Sequence, residues 1–164
     1  MAVAYRIRPA QLADVPALGA LEPRCFSDPW SVKGFAEMLA SPAIFGLVAE
    51  LKSGVVAGYL VARVVEEEGE ILNLAVAPER RRQGIGVALL ESALEEMGRR
   101  AAGSVFLEVR ASNDAAVALY TARGFRPMGR RRGYYRKPVE DAIVLRREAA
   151  KDHSQPAGSP PALF

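Results

Sequence analysis

Ile71-Leu72-Asn73-Leu74-Ala75-Val76-Ala77-Pro78-Glu79-Arg80-Arg81-Arg82-Gln83-Gly84-Ile85-Gly86 changes character twice along its length. Ile71 to Val76 is a strand-forming run, and Ala77-Pro78-Glu79 is a turn. Beyond the second glycine the period changes. Val87, Leu90, Leu94 and Met97 recur at spacings of three and four, one face of a helix starting near Gln83 and stopping around Gly98 to Arg100. A strand therefore feeds, through a basic turn and a glycine pair, into the start of an amphipathic helix. The first N–H groups of a helix lack intrahelical partners and lie at the positive end of its dipole. Glycines there let a phosphate approach the backbone closely. Arg81-Arg82-Gln83-Gly84-Ile85-Gly86 thus suits a pyrophosphate. A dinucleotide fingerprint would want a small residue where Leu89 stands, and a P-loop would want Lys where Val87 stands. Both common nucleotide motifs fail on spacing. Taken alone, the glycines also suit a helix start that only packs tightly.

Working outward, Arg6-Ile7-Arg8 is a first strand. Asp14 is placed to cap a helix bearing Val15, Leu18 and Leu21, and Ser31 to cap a second carrying Val32, Phe35, Met38 and Leu39. Ala43 to Leu51 and Val55 to Val65 are strands separated by Lys52-Ser53-Gly54, and Glu66 to Glu70 reads as an acidic turn before Ile71. Downstream, Val105 to Arg110 is a strand. Ser112 or Asn113 caps a helix through Tyr120, and Gly124 is placed as its terminating glycine. Phe125 to Met128 and Ala142 to Leu145 are the last strands. The order β-α-α-β-β-β-α-β-α-β-β, a meander leading into a β-α-β crossover, predicts an α/β (α+β) fold. Its mixed, mostly antiparallel sheet has about seven strands, flanked on both faces by about four helices.

Composition sets the frame. The chain has 164 residues, 50% hydrophobic and 25% charged, enough for one domain over residues 1–148 with its own core. Residues 149–164, rich in Pro, Ser, Gly and Ala, read as a disordered tail. Cys25 stands alone, which fits a reducing cytoplasm, and with the single His153 it cannot build a zinc site of Cys and His ligands. No run is long and apolar enough for a membrane span, and the N-terminus shows no signal-peptide stretch. A net charge of +3 with no interleaved basic and aromatic surface argues against a nucleic-acid partner.

At Arg81-Arg82-Gln83-Gly84-Ile85-Gly86 the sequence resembles the GNAT superfamily of N-acetyltransferases, whose acetyl-CoA motif is Arg/Gln-x-x-Gly-x-Gly/Ala. Leu72 to Pro78 resembles that superfamily's bulged fourth strand. Phe106-Leu107-Glu108-Val109-Arg110-Ala111-Ser112-Asn113, with Ala118-Leu119-Tyr120, Pro29-Trp30-Ser31, Gly133-Tyr134-Tyr135 and Glu140-Asp141-Ala142-Ile143, resembles the branch that acetylates the N-terminal alanine of a small-subunit ribosomal protein. The likeness spans residues 5 to 147. It implies a GNAT fold, acetyl-CoA as cosubstrate, no metal, a protein N-terminus as acceptor, and a monomer or weak dimer. It also implies that the backbone of Leu74, Ala75 and Val76 meets the pantetheine arm, that Arg82, Gln83, Gly84, Ile85, Gly86 and Val87 cradle the pyrophosphate, that Asn113 touches the cofactor, and that Tyr120 sits near its sulfur. Arg136-Lys137-Pro138-Val139, bordering the acceptor groove, is about two residues shorter than in that branch.

Acyl transfer to an amine needs a neutral amine, donors for the developing oxyanion and a proton for the departing thiolate. Glu108 suits the first as general base, backbone N–H groups near Leu74 to Val76 the second, and Tyr120 the third. Trp30, Tyr134 and Tyr135 are candidates to line the acceptor groove, or to be packing aromatics. Glu108 could instead pair with Arg110 on the same strand face. An α-amine costs roughly 1 kcal/mol to neutralise at pH 7 and a lysine about 4–5 kcal/mol, which favours an N-terminal acceptor. A small-molecule amine or lysine acetyltransferase would use the same cradle, and a non-catalytic acyl-CoA-binding module would use it without turnover.

Overall fold

The computed structural model describes residues 4–149, and the segment expected to form the tail lies outside them from residue 150 onward. Seven strands form one sheet in the order β1-β2-β3-β4-β5-β7-β6. They are β1 (Tyr5–Pro9), β2 (Ile44–Leu51), β3 (Val56–Val65), β4 (Glu68–Val76), β5 (Ser104–Arg110), β6 (Arg126–Tyr135) and β7 (Glu140–Glu148). Every neighbouring pair is antiparallel except β4 and β5. The parallel pair brackets α3 (Ile85–Arg99), as a crossover connection requires. The expected element order and mixed sheet are both present.

The core has two layers, because helices cover both faces. Helices α1 (Val15–Cys25) and α2 (Val32–Leu39) pack Leu18, Leu21 and Phe35 on Val48, Tyr59 and Val61. On the other face α3 and α4 (Asp114–Thr121) cover Leu60, Ile71 and Leu107 with Leu89, Leu90, Ala93 and Tyr120. Burying side chains of this size contributes roughly 1.5–3 kcal/mol each.

Four sequence expectations change. The acidic segment is a turn only at Glu66 and Glu67, and Glu68 already pairs with Val65. Gly69 faces Met97 while Glu70 pairs with Arg63, so the charges lie on the polar face of a strand. Strand β6 runs on to Tyr135, well past Met128, as an exposed edge strand. With almost no apolar burial it has no alternation to read, and its arginines suit a free edge. Strand β7 is likewise longer than Ala142 to Leu145.

Asp14, finally, does not cap α1 with its side chain. It accepts from Arg8 Nη1 and Nη2 at 2.8 Å and from the Gln11 amide at 2.7 Å. Arg8 holds its carboxyl below the usual carboxylate range, outweighing desolvation, and the Gln11 amide adds to the lowering. A lowered folded-state value stabilises above the ordinary carboxylate range near pH 4, and that stabilisation is lost as the pH falls through the folded value. Asp14→Asn is therefore expected to cost about 1–2 kcal/mol at pH 7 in urea unfolding. The gap to the parent should narrow below about pH 4. A gap independent of pH would remove the ion pair as its cause.

Candidate active site

The site begins where two strands part. Strands β4 and β5 pair only from Glu68↔Ser104 to Ile71↔Leu107. Beyond that point β4 stays with β3 as far as Val76, while β5 stays with β7 as far as Arg110. The opening is a cleft of ≈ 440 Å³ whose walls include Leu74, Glu108, Asn113 and Tyr120.

A bulge starts the divergence. Val61 pairs Asn73 and Ala62 pairs Ile71, so Leu72 is an extra residue in β4. In consequence Leu72 and Asn73 both turn toward the α1/α2 face, Leu72 into its apolar layer and Asn73 onto Glu22. The bulged strand expected from sequence is present, with its extra residue at Leu72 rather than within Leu74 to Val76. Farther along, the Ala77 amide donates to Ala57 on β3, whereas the Val76 carbonyl accepts from Arg81 Nε at 3.2 Å and Cys25 Sγ at 3.5 Å. Strand alternation therefore directs the backbone groups of Leu74 and Val76 toward the opening and those of Ala75 toward β3.

Next to this edge lies the start of α3. Gly84 adopts φ +82° and Arg82 φ +61°, so the chain winds through left-handed positions before entering the helix. The first helical bond is Ala88 N–H to the Gly84 carbonyl at 3.0 Å, and Tyr5 Oη donates to the same carbonyl at 3.3 Å. The amides from Arg82 to Val87 donate to no protein acceptor among the described residues. A Cβ on Gly86 would point between Val76 and Leu119, at ordinary contact distances of 3.7 and 3.8 Å. The fold itself would accept a side chain there, so packing does not by itself require glycine at this position.

Glu108 sits on β5 with its side chain 11% exposed, and Arg131 Nε on β6 lies 3.0 Å from Oε1. Its carboxylate, beside Tyr134, pushes that phenol up to about 12 together with desolvation. Burial, with Tyr134 and Glu108 nearby, likewise raises Tyr135 to about 12. Tyr120 packs edge-on against Phe125 at 5.5 Å, and desolvation raises its pKa. Its hydroxyl has no hydrogen-bond partner among the described residues, and it is not one of the sealed polar atoms. A second cavity of ≈ 410 Å³, lined by Glu70, Tyr134 and Arg136, shares Asp28, Trp30, Leu72, Glu108, Arg110 and Tyr135 with the cleft. Glu108 thus stands where the two meet. A larger hollow of ≈ 570 Å³ around Glu66 to Glu68 and Arg146 contains none of the residues expected to react.

A Glu108–Arg110 pair does not form. Arg110 Nη1 and Nη2 donate to the carbonyls of Pro138 (3.1 Å) and Arg136 (2.8 Å), Nη1 reaches Glu140 at 3.3 Å, and the guanidinium stacks over Tyr135. It clamps the short β6–β7 turn beside the second cavity. Asn113 caps α4, accepting from the Ala116 amide at 3.1 Å, which settles the choice between Ser112 and Asn113.

The family's sequence pattern, described as the acetyltransferase (GNAT) family, matches residues 15–125. The chain belongs to the GNAT acetyltransferase family. The [ribosomal protein bS18]-alanine N-acetyltransferase of Escherichia coli K12 is 39% identical to this enzyme over 138 residues, covering 82% of its chain and 91% of that protein. The N-alpha-acetyltransferase RimI of Mycobacterium tuberculosis is 38% identical over 143 residues, covering 84% and 88%. The crystal structure of the ribosomal-protein-S18-alanine N-acetyltransferase from Escherichia coli superposes with a TM-score of 0.84 at 32% identity, covering 98% of this chain and 99% of that one.

This acetyl-CoA-dependent N-acetyltransferase gathers part of the expected set around the two cavities, while Ala75, Val76 and Arg82 to Val87 are not among their lining residues. Glu108, Tyr120, Leu74 and Asn113 share the cleft, and Trp30, Tyr134 and Tyr135 line the second cavity. Sequence reading missed the Arg110 clamp, the Arg131 contact and the buried Glu22. The first two depend on a β6–β7 hairpin that was undersized, and the third on a contact between α1 and a bulge. Cys25 lines the cleft. Burial pushes its thiol up, which suits a wall rather than a nucleophile. Among the described residues, no group of His, Cys, Asp and Glu is arranged to hold a metal, and no helix is long and apolar enough to cross a membrane.

Proposed function

We propose that this acetyltransferase modifies the α-amine of a protein N-terminus, with the N-terminal alanine of ribosomal protein bS18 as its acceptor, in the cytoplasm. The observation that carries the reading is the position of Glu108 between the cleft and a second cavity flanked by Trp30, Tyr134 and Tyr135. Acetyl-CoA supplies the acyl group as a thioester. The free amides from Arg82 to Val87 hold its pyrophosphate, the exposed backbone edge at Leu74 and Val76 aligns its pantetheine arm, and Asn113 contacts it. Of the strand residues, Ala75 turns its backbone to β3 and its side chain into the α1/α2 layer, so it supports the edge from behind. The α-amine attacks in its neutral form, Glu108 accepts the proton it sheds as the amide forms, directly or through water, and the incoming amine takes the place of Arg131 at the carboxylate. Backbone N–H groups of the opened β4 edge donate to the oxygen that gains charge. Tyr120, kept protonated by its burial, donates to the departing sulfur.

The reading is tested by following thiol release with peptides beginning Ala-Arg, Ser and Met beside free small amines. Release with the peptides supports it, and release only with the small amines rejects it. Since an α-amine has a reference pKa near 8, kcat/KM for the peptide should rise about tenfold per pH unit below about pH 7.5 and level off above about pH 8.5. A rise continuing past pH 10 would point to lysine as the acceptor. Gly86→Val should weaken acetyl-CoA binding about tenfold in calorimetry, because the new side chain fills the gap beside Val76 and Leu119, with thermal stability nearly unchanged. Intact binding would move the pyrophosphate away from α3.

A further inference from the structure

Among the described residues, Glu22 is the one of the largest fully buried side chains that carries a carboxylate. It lies in the last turns of α1 and borders the cleft. All its polar contacts are with donors. Asn73 Nδ2 lies 2.9 Å from Oε1 and 2.8 Å from Oε2. The Trp30 amide donates to Oε1 at 3.3 Å, and the Tyr59 hydroxyl donates to Oε2. No Lys or Arg forms an ion pair with it among the described residues. Desolvation works against its charge, and the Tyr59, Trp30 and Asn73 donors oppose that. A bare buried carboxylate is costly unless its acceptors are filled, and here they are.

What these donors belong to gives the arrangement its meaning. Asn73 is the second residue of the pair that the β4 bulge turns onto this face, directly before the backbone edge at Leu74 and Val76. Trp30 is on the loop between α1 and α2 and lines both the cleft and the second cavity. Tyr59, on β3, is the floor to which both are referred, and Phe35 wedges between Trp30 and Tyr59 at ring distances of 5.3 and 5.5 Å. One carboxylate therefore joins the donor-side strand to the acceptor-side loop.

We infer that Glu22 is a positioning residue, which fixes the β4 bulge relative to the Trp30 loop and so sets the distance between the thioester and the attacking amine. The inference rests on the transfer reaction proposed above. It predicts a defect in transfer without a defect in the cradle, because the Arg82 to Val87 amides belong to a different element. Misplacement of reacting groups by an ångström can slow a reaction by about 10²-fold.

The test uses Glu22→Gln, which keeps the shape but turns an amide toward the Asn73 amide, and the double variant Glu22→Gln with Asn73→Asp, which restores a donor–acceptor pair with its polarity reversed. Turnover of an Ala-initiated peptide is measured together with the calorimetric Kd for acetyl-CoA, well below each variant's melting temperature. For Glu22→Gln, kcat should fall about tenfold or more with Kd within threefold of the parent, and the double variant should recover at least a third of the parent kcat. Should Glu22→Gln not fold, Asn73→Ala replaces it, with the same expected split. Unchanged kcat in the single variant, an equal loss of acetyl-CoA affinity, or no recovery in the double variant overturns the inference. Absence of peptide acetylation by the parent protein would instead overturn the transfer reaction on which it rests.

Discussion

Glu108→Gln is expected to lower kcat for an N-terminal peptide by about 10²-fold while leaving the Kd for acetyl-CoA within twofold of the parent. The carboxylate stands at the junction of the two cavities, with only 11% of its side chain exposed. Glutamine fills the same volume and can still meet Arg131, but it cannot take a proton. Binding should survive because the free amides lie in the turn leading into α3 and its first residues, and Glu108 lies on β5 beyond the point where the strands separate. Single-turnover kinetics with calorimetry in parallel separates the two quantities. Equal rates for the two proteins would remove Glu108 from the chemistry. A matching loss in acetyl-CoA affinity would make it a binding group instead.

Tyr120→Phe should slow transfer by about tenfold or more with thermal stability changed by less than about 1 kcal/mol. The ring is buried against Phe125, and phenylalanine keeps that packing. The hydroxyl has no partner inside the protein among the described residues, so its removal breaks no internal bond. Its raised pKa keeps the proton in place over the working pH range and makes full transfer to a free thiolate uphill. The same burial raises a thiolate leaving within the cleft, so hydrogen bonding to the sulfur as it departs is the role that fits. An intact rate in Tyr120→Phe would reduce Tyr120 to a packing residue.

How much of this could be read in the chain follows from where the signal is local. The α3 start was legible because a strand, a basic turn, paired glycines and a helical period follow one another within a few turns of chain. Gly84 at φ +82° is the backbone form of that signal. The meander was legible because buried strands carry continuous apolar runs. Strand β6 was not, since every residue from Arg126 to Tyr134 is exposed and its pairing with β7 leaves no hydrophobic period. The Glu108–Arg110 alternative was a correct statement about strand faces, yet carbonyls of a turn 26 and 28 residues away hold Arg110 instead. Glu22 had no local mark at all. In the sequence it is an acid followed by a proline within a helix, and its role exists only once the β4 bulge brings Asn73 over it.

The central claim is that the cleft between β4 and β5 delivers an acetyl group to an α-amine. It is tested most directly by incubating the enzyme with acetyl-CoA and one peptide that begins with alanine and carries an internal lysine, then locating the acetyl group by fragmentation mass spectrometry. The acetyl group should be on the alanine nitrogen, with the lysine unmodified at low conversion. Modification of the lysine side chain in place of the α-amine would contradict the account.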